Sequence, residues 1–183
     1  PLNAYNLRWR PSFWYTDEGG FNLGYKITGS YSEDLHRFTL YQLYNTREDK
    51  FDYDFALSHN MYNISPITTF DARAYTLEGR KGFALVLNKG FRNSYTIPPN
   101  HNLHVQYSFS ELTNKDYLLI PQLWDEGKLH RVILGYTYFN RGKIWTVNAA
   151  AYAEGSSSLL EQSDFQYSKR TVELKSNVNL PDG

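Results

Sequence analysis

From Phe21 to Thr28 every second residue is apolar: Phe21, Leu23, Tyr25 and Ile27 alternate with Asn22, Gly24, Lys26 and Thr28. The same alternation runs through Phe51-Asp52-Tyr53-Asp54-Phe55-Ala56-Leu57-Ser58, and through Leu103, Val105, Tyr107 and Phe109 against His104, Gln106 and Ser108. Val132, Leu134, Tyr136 and Tyr138 make another stripe, and Phe83, Leu85 and Leu87 a weaker one. Successive side chains of a strand point to opposite faces, so each segment carries one apolar and one polar face. Helical period hardly appears. The pattern predicts an all-β chain of about eleven strands, over 3–15, 21–29, 36–45, 51–60, 67–77, 83–91, 102–110, 117–123, 129–139, 143–153 and 165–178. The eighth is the weakest, because Pro121 removes a ladder donor and leaves Tyr117 to Trp124 as an edge, a bulge or a loop excursion.

Short polar turns join the strands in pairs: Thr16 to Gly20, Asn45 to Lys50, Glu78 to Gly82, Leu112 to Asp116, and Asn140-Arg141-Gly142. Their centres lie roughly thirty residues apart, with longer breaks between them at 29–35, 61–66, 92–101, 125–128 and 154–164. The longer breaks hold Pro98-Pro99 and Ser156-Ser157-Ser158, ordinary loop chemistry. This is the rhythm of consecutive hairpins rather than of a solenoid, since no motif recurs with it. Nothing resembling an interdomain linker interrupts the chain, so 1–183 reads as one β domain, expected to be part of a longer chain.

Strands of roughly nine to eleven residues exceed the ~5–6 usual in soluble proteins, and ten residues tilted by ~40° rise about 25 Å, the height of a lipid-facing band. Aromatic residues gather beside the short turns: Trp14, Tyr15, Phe21, Tyr44, Phe51, Tyr53, Tyr75, Phe83, Tyr136, Tyr138, Phe139 and Trp145. A membrane barrel uses such a girdle at the lipid–water interface. The predicted fold is therefore an all-β, antiparallel up-and-down transmembrane β-barrel, or part of one, of about 10–12 long strands. On that reading Leu23, Phe55, Leu85 and Val105 face lipid. The lumen is lined by Asn22, Lys26, Asp52, Asp54, Ser58, Asp71, Arg73, His104, Gln106 and Arg131. An odd strand count would make the first and last strands meet parallel, and removing the eighth restores an even number.

Composition narrows the classes. Nineteen basic and nineteen acidic residues cancel, so no global field recruits nucleic acid. Cysteine is absent, which excludes disulfides and thiolate metal sites. No run approaches the ~18 apolar residues of a membrane helix, and the start of the sequence lacks the charged and apolar stretches of a signal peptide. Tyr is abundant, 16 against one Met, and such amphipathic rings suit a surface that is half apolar and half wet.

The stretch Trp9-Arg10-Pro11-Ser12-Phe13-Trp14-Tyr15-Thr16-Asp17-Glu18-Gly19-Gly20-Phe21-Asn22-Leu23-Gly24-Tyr25 resembles the strand–turn–strand signature of bacterial surface-antigen barrels. The matching part is the short acidic-Gly turn followed by an apolar-x-Leu-Gly strand. Lys89-Gly90-Phe91 resembles the Arg-Gly-Phe/Tyr loop motif of that superfamily's assembly members, with Lys in place of Arg. The superfamily includes outer-membrane assembly and secretion pores and barrels fused to metallopeptidase-like domains. The resemblance implies a barrel in the outer membrane of a Gram-negative-type bacterium and no particular activity.

Catalytic chemistry finds little footing. There is no His-Glu-x-x-His motif. His101 and His104, and likewise Ser58 and His59, fall on opposite faces of a strand, which defeats a ligand pair and a nucleophile–base pair. Asp52 and Asp54 share a face but read as solvated carboxylates opposite Arg73 rather than an acid–base pair. Leu7-Arg8-Trp9-Arg10 mixes basic and aromatic residues without a surrounding basic surface. The expectation is no enzyme, no cofactor, no metal and no nucleic-acid partner. The partners expected are the bilayer, other protein subunits or the remainder of a longer chain. The function expected is a porin-like pore, anchor or transport and assembly platform. The alternative is a soluble all-β module gripping carbohydrate through aromatic side chains. Two geometric expectations follow. Turns at Asp17, Glu48, Arg80 and Arg141 lie on one side, periplasmic, with loops at Tyr31, Asn63, Pro98 and Ser157 on the other. Arg73 pairs with Asp52 or Asp54 across neighbouring strands.

Overall fold

Alternation of the kind described above fixes register wherever one face is set apart from the other, and here it gives a single sheet. In a computed structural model, which describes residues 5–16, 20–31, 35–64, 68–91, 101–118, 120–123, 125–141, 145–156 and 163–178, ten strands pair antiparallel in sequence order. They are β1 (Tyr5–Thr16), β2 (Gly20–Tyr31), β3 (His36–Asn45), β4 (Lys50–Asn60), β5 (Thr68–Leu77), β6 (Arg80–Phe91), β7 (His101–Leu112), β8 (Gly127–Arg141), β9 (Trp145–Ser156) and β10 (Tyr167–Val178). The chain is thus all-β, an up-and-down meander. Among the described residues β1 pairs only with β2, and β10 only with β9, so the sheet is barrel-like but not closed. Pro11 sits in the edge strand β1, where a missing ladder donor is tolerated.

The strand expected over 117–123 is not formed by the described residues of that range. In its place lie two short 3-10 turns, Lys115–Tyr117 and Pro121–Leu123. The Asn114 side chain accepts from the Asp116 backbone N–H at 2.9 Å and starts the first turn, and Pro121, which has no N–H to give a ladder, opens the second. Leu118 between them is buried.

Losing that strand reverses the direction of everything after it. β7 and β8 are joined not by a tight turn but by residues 113–126, at the end of the sheet where the 46–49 and 78–79 turns lie. We call this the near end. Arg141 then reaches the far end, beside the strand ends that flank Asn63, and Ser156 and Tyr167 return to the near end. The expected common sidedness of Arg141 with the Glu48 and Arg80 turns is therefore wrong, and the strand ends at Ser156 and Tyr167 lie opposite Tyr31 and Asn63. Asp17, Pro98 and Ser157 themselves lie outside the described residues.

The register sorts the faces. Leu7, Trp9, Phe13, Leu23, Ile27, Leu40, Phe55, Leu57, Leu85, Leu87, Leu103, Val105, Val132, Leu134, Ala151, Ala153, Val172 and Leu174 share one face across all ten strands except β5, which adds Phe70, Ala72 and Ala74. Tyr15, Phe21, Tyr44, Phe51, Phe83 and Phe109 mark the near end of this face; Tyr31, His36, His59, His101, Tyr136 and Tyr138 mark the far end. The girdle is thus double. Trp14, Tyr75 and Phe139 do not belong to it, since the register puts them on the opposite, polar face.

The sheet curls toward the polar face. Trp14 Nε1 donates to Glu78 Oε1 at 3.0 Å, although β1 and β5 would stand ~19 Å apart in a flat sheet at ~4.8 Å per strand. Consistent with the curl, Asn22, Leu43, Asn45 and Asp52 on the inner, polar face are almost wholly buried, whereas Trp9 and Phe13 on the outer face are each 75% exposed.

Candidate functional site

The inner face carries the chain's polar chemistry, and it divides into three zones. At the near end the β5–β6 turn folds inward. Glu78 adopts the left-handed backbone (φ 48°), which aims its side chain over the sheet. Its Oε1 accepts from Trp14 and from Asn22 Nδ2 at 3.2 Å, and its backbone N–H donates to Asp52 Oδ2 at 3.0 Å. Thr113 N–H and Oγ1 both donate to Gly79 O, at 2.8 and 2.9 Å, and Asn114 Nδ2 donates to Glu48 Oε1 at 3.0 Å. Asn45 Oδ1 accepts from the backbone N–H groups of Arg47 and Glu48, closing the β3–β4 turn. Three connecting elements are thereby tied across the near end of the inner face. Asn22 Oδ1, Asn45 Nδ2 and Asp52 Oδ1 are buried there without a protein partner among the described residues.

A second zone runs along β4–β10 as chains of side-chain contacts. Arg73 forms a bidentate pair with Asp54, Nε to Oδ1 and Nη2 to Oδ2, both at 2.8 Å, with its guanidinium 5.2 Å from the Tyr75 ring centre. Asn88 donates from Nδ2 to Thr69 Oγ1 at 3.3 Å and to Asp71 Oδ2 at 3.5 Å, and its Oδ1 lies 2.7 Å from His104 Nδ1. Arg131 Nε donates to Ser108 Oγ at 3.2 Å and its Nη1 approaches Glu154 Oε1 at 3.6 Å; that carboxylate also accepts from Tyr167 at 2.5 Å.

The third zone is β1–β3. These strands contain Arg8, Arg10, Lys26 and Arg37 and not one Asp or Glu. All four cations lie on the inner face. Lys26 stands over the Tyr41 ring at 4.8 Å, and Arg8, Arg10 and Arg37 have no hydrogen bond or ion pair among the described residues. A cavity of about 310 Å³ lies between Arg8 and Arg37, floored by Thr28, Ser30 and Thr39.

Of the residues singled out from the sequence, Asp52, Asp54, Asp71, Arg73 and Arg131 all lie on the inner face. Arg73 meets Asp54 and not Asp52. Asp52 is not a solvated carboxylate: it is 1% exposed, covered by the Glu78 turn. In the sequence Arg8 and Arg10 stand as an isolated basic-aromatic stretch. Their alignment with Lys26 and Arg37 becomes visible only once the β1–β3 register is known. Among the described residues no group of three or more His, Asp or Glu is placed to hold a metal ion. Comparison with known protein families, curated proteins and solved structures finds no match to this chain.

Proposed function

We propose that this chain is membrane-embedded barrel wall in a bacterial outer membrane, serving as a pore, anchor or transport and assembly platform without a catalytic step. The observation that carries the reading is the continuous apolar outer face. Among the described residues no second layer lies against it, and the buried apolar side chains reduce to Leu43 and Leu118. A soluble sandwich hides its apolar faces between two sheets, and a single sheet with this pattern needs an apolar solvent instead. The charged side chains of that face among the described residues, Lys81, Lys89, Glu111, Lys128 and Arg170, all stand within four residues of a strand end, leaving its middle uncharged. Bands of aromatic rings at both ends fit the two interfaces of a bilayer. The resemblance of residues 9–25 to surface-antigen barrels points the same way.

Folding decides it. The chain should need detergent or lipid to reach its β structure and should migrate faster on a gel before boiling than after. Spin labels at Leu23, Phe55, Leu85 and Val105 should be reached by oxygen and shielded from a water-soluble relaxer. A monomer that folds in plain buffer with those positions open to the aqueous reagent would replace this reading with a soluble binding module.

A further inference from the structure

The inner face is electrically lopsided. From β4 onward it carries both signs, with Arg73 paired to Asp54, Arg131 to Glu154 and Lys175 to Glu173, and with Asp52 and Asp71 among Arg80, Arg141 and Lys169 outside those pairs. Strands β1–β3 hold four cations and no acid, and among the described residues none of the four has an ion pair. An arginine confined to one face among like charges is held there at a cost in repulsion, which an anion between them removes.

The register gives the cations a common focus. Arg8 stands opposite Thr28 and Arg37 opposite Ser30, so the two arginines flank β2 from either side, two strand spacings across and one inner-face step along, ~12 Å apart at the backbone. Thr28, Ser30 and Thr39 supply hydroxyl donors between them, and the 310 Å³ cavity they line is large enough for a small solute. Arg10 and Lys26 sit one inner-face step closer to the near end and extend the positive field. Forked guanidinium donors around a hydroxyl floor match an anion that offers several oxygens at once.

We propose that the inner face of β1–β3 binds a phosphate-bearing small solute, gripped by Arg8 and Arg37 and drawn in by Arg10 and Lys26. That this solute is held within or passed along a barrel interior rests on the membrane reading above; the binding itself rests on the cation geometry. A free solute is favoured over a lipid headgroup because the apolar surface that acyl chains would need is on the opposite face of these strands.

Inorganic pyrophosphate titrated into the detergent-refolded full chain tests this, followed by phosphorus NMR and calorimetry. Saturable binding is expected, weakened about tenfold or more in Arg8→Gln/Arg37→Gln and within about twofold of the parent in Lys175→Gln, a cation of the same face beside Glu173. Arg8 and Arg37 are exposed, so their replacement leaves packing intact, and the single variants, each checked by circular dichroism, guard against a folding defect in the double. No saturable binding, or binding indifferent to both arginines, overturns the proposal. A parallel titration with mixed micelles of an anionic phospholipid and no free anion separates the sources, and a response confined to that arm also overturns it. Should the chain fold only in plain buffer, the membrane reading fails while the same titration there still judges the anion site.

Discussion

Glu78 illustrates how one strained residue can organise an end of the sheet. Its left-handed backbone would be easier for glycine, yet only a long carboxylate can reach both Trp14 and Asn22 while its own N–H serves Asp52. Glu78→Ala should therefore destabilise the fold by about 1–3 kcal/mol and alter Trp14 fluorescence. Glu111→Ala, which removes an exposed contact to Lys81 on the outer face, should cost ~0–1 kcal/mol. Paired denaturation curves in one detergent make the comparison, and equal losses would deny Glu78 its tethering role. Arg73 and Asp54 have better geometry than Glu78 has, but the arginine side chain is 53% exposed. A double-mutant cycle should return a coupling of only ~0–1 kcal/mol, since solvent screens the pair. Gly24 is another constrained position: a Cβ there would sit 1.9 Å from Gln42 O, so Gly24→Ala should disturb β2–β3 pairing at a cost of about 1–3 kcal/mol by the same assay.

Strands were the part of this architecture that the sequence made legible. Alternation of apolar and polar residues marks ten of them with boundaries close to those observed, because each strand separates two environments along its whole length. Tyr117 to Leu123 misled for a physical reason: Tyr, Leu and Ile are good strand formers, and nothing in their spacing reveals that Asn114 and Pro121 start 3-10 turns instead. One miscounted strand inverts the sidedness of every later connection, although it leaves the faces of the strands unchanged. The Arg73 pair was legible because it joins neighbouring strands. The Glu78 network and the Arg8–Arg37 cluster were not, since they depend on curl and on register across three or more strands. Topology can be checked cleanly because the chain has no cysteine. Single cysteines at Asn63 and Arg141 should react with a membrane-impermeant thiol reagent from one side of a vesicle, and one at Glu48 from the other. Labelling of Arg141→Cys together with Glu48→Cys would restore the eighth strand. The faces can be probed as well: Leu85→Arg should cost ~2–4 kcal/mol in a bilayer, against about 0.5 kcal/mol for Gln106→Arg on the inner face.

Across the assembled sheet the near end is laced shut by Glu78, Gly79, Thr113, Asn114 and Glu48, while strands β1–β3 carry positive charge and no acid. Stability is thus built from a backbone ladder and a polar inner face rather than from an oily centre. That the buried apolar side chains among the described residues are Leu43 and Leu118 has a calorimetric consequence. The heat capacity of unfolding, ~12–15 cal/mol/K per residue in globular proteins, arises from apolar surface newly wetted when a core opens. Here that surface is already turned outward, and on the proposed membrane reading detergent covers it before unfolding and stays within reach of it afterwards. Scanning calorimetry in micelles should accordingly give an increment per residue well below the globular range, and hence a stability curve flatter with temperature, less prone to cold denaturation than that of a soluble domain of equal length.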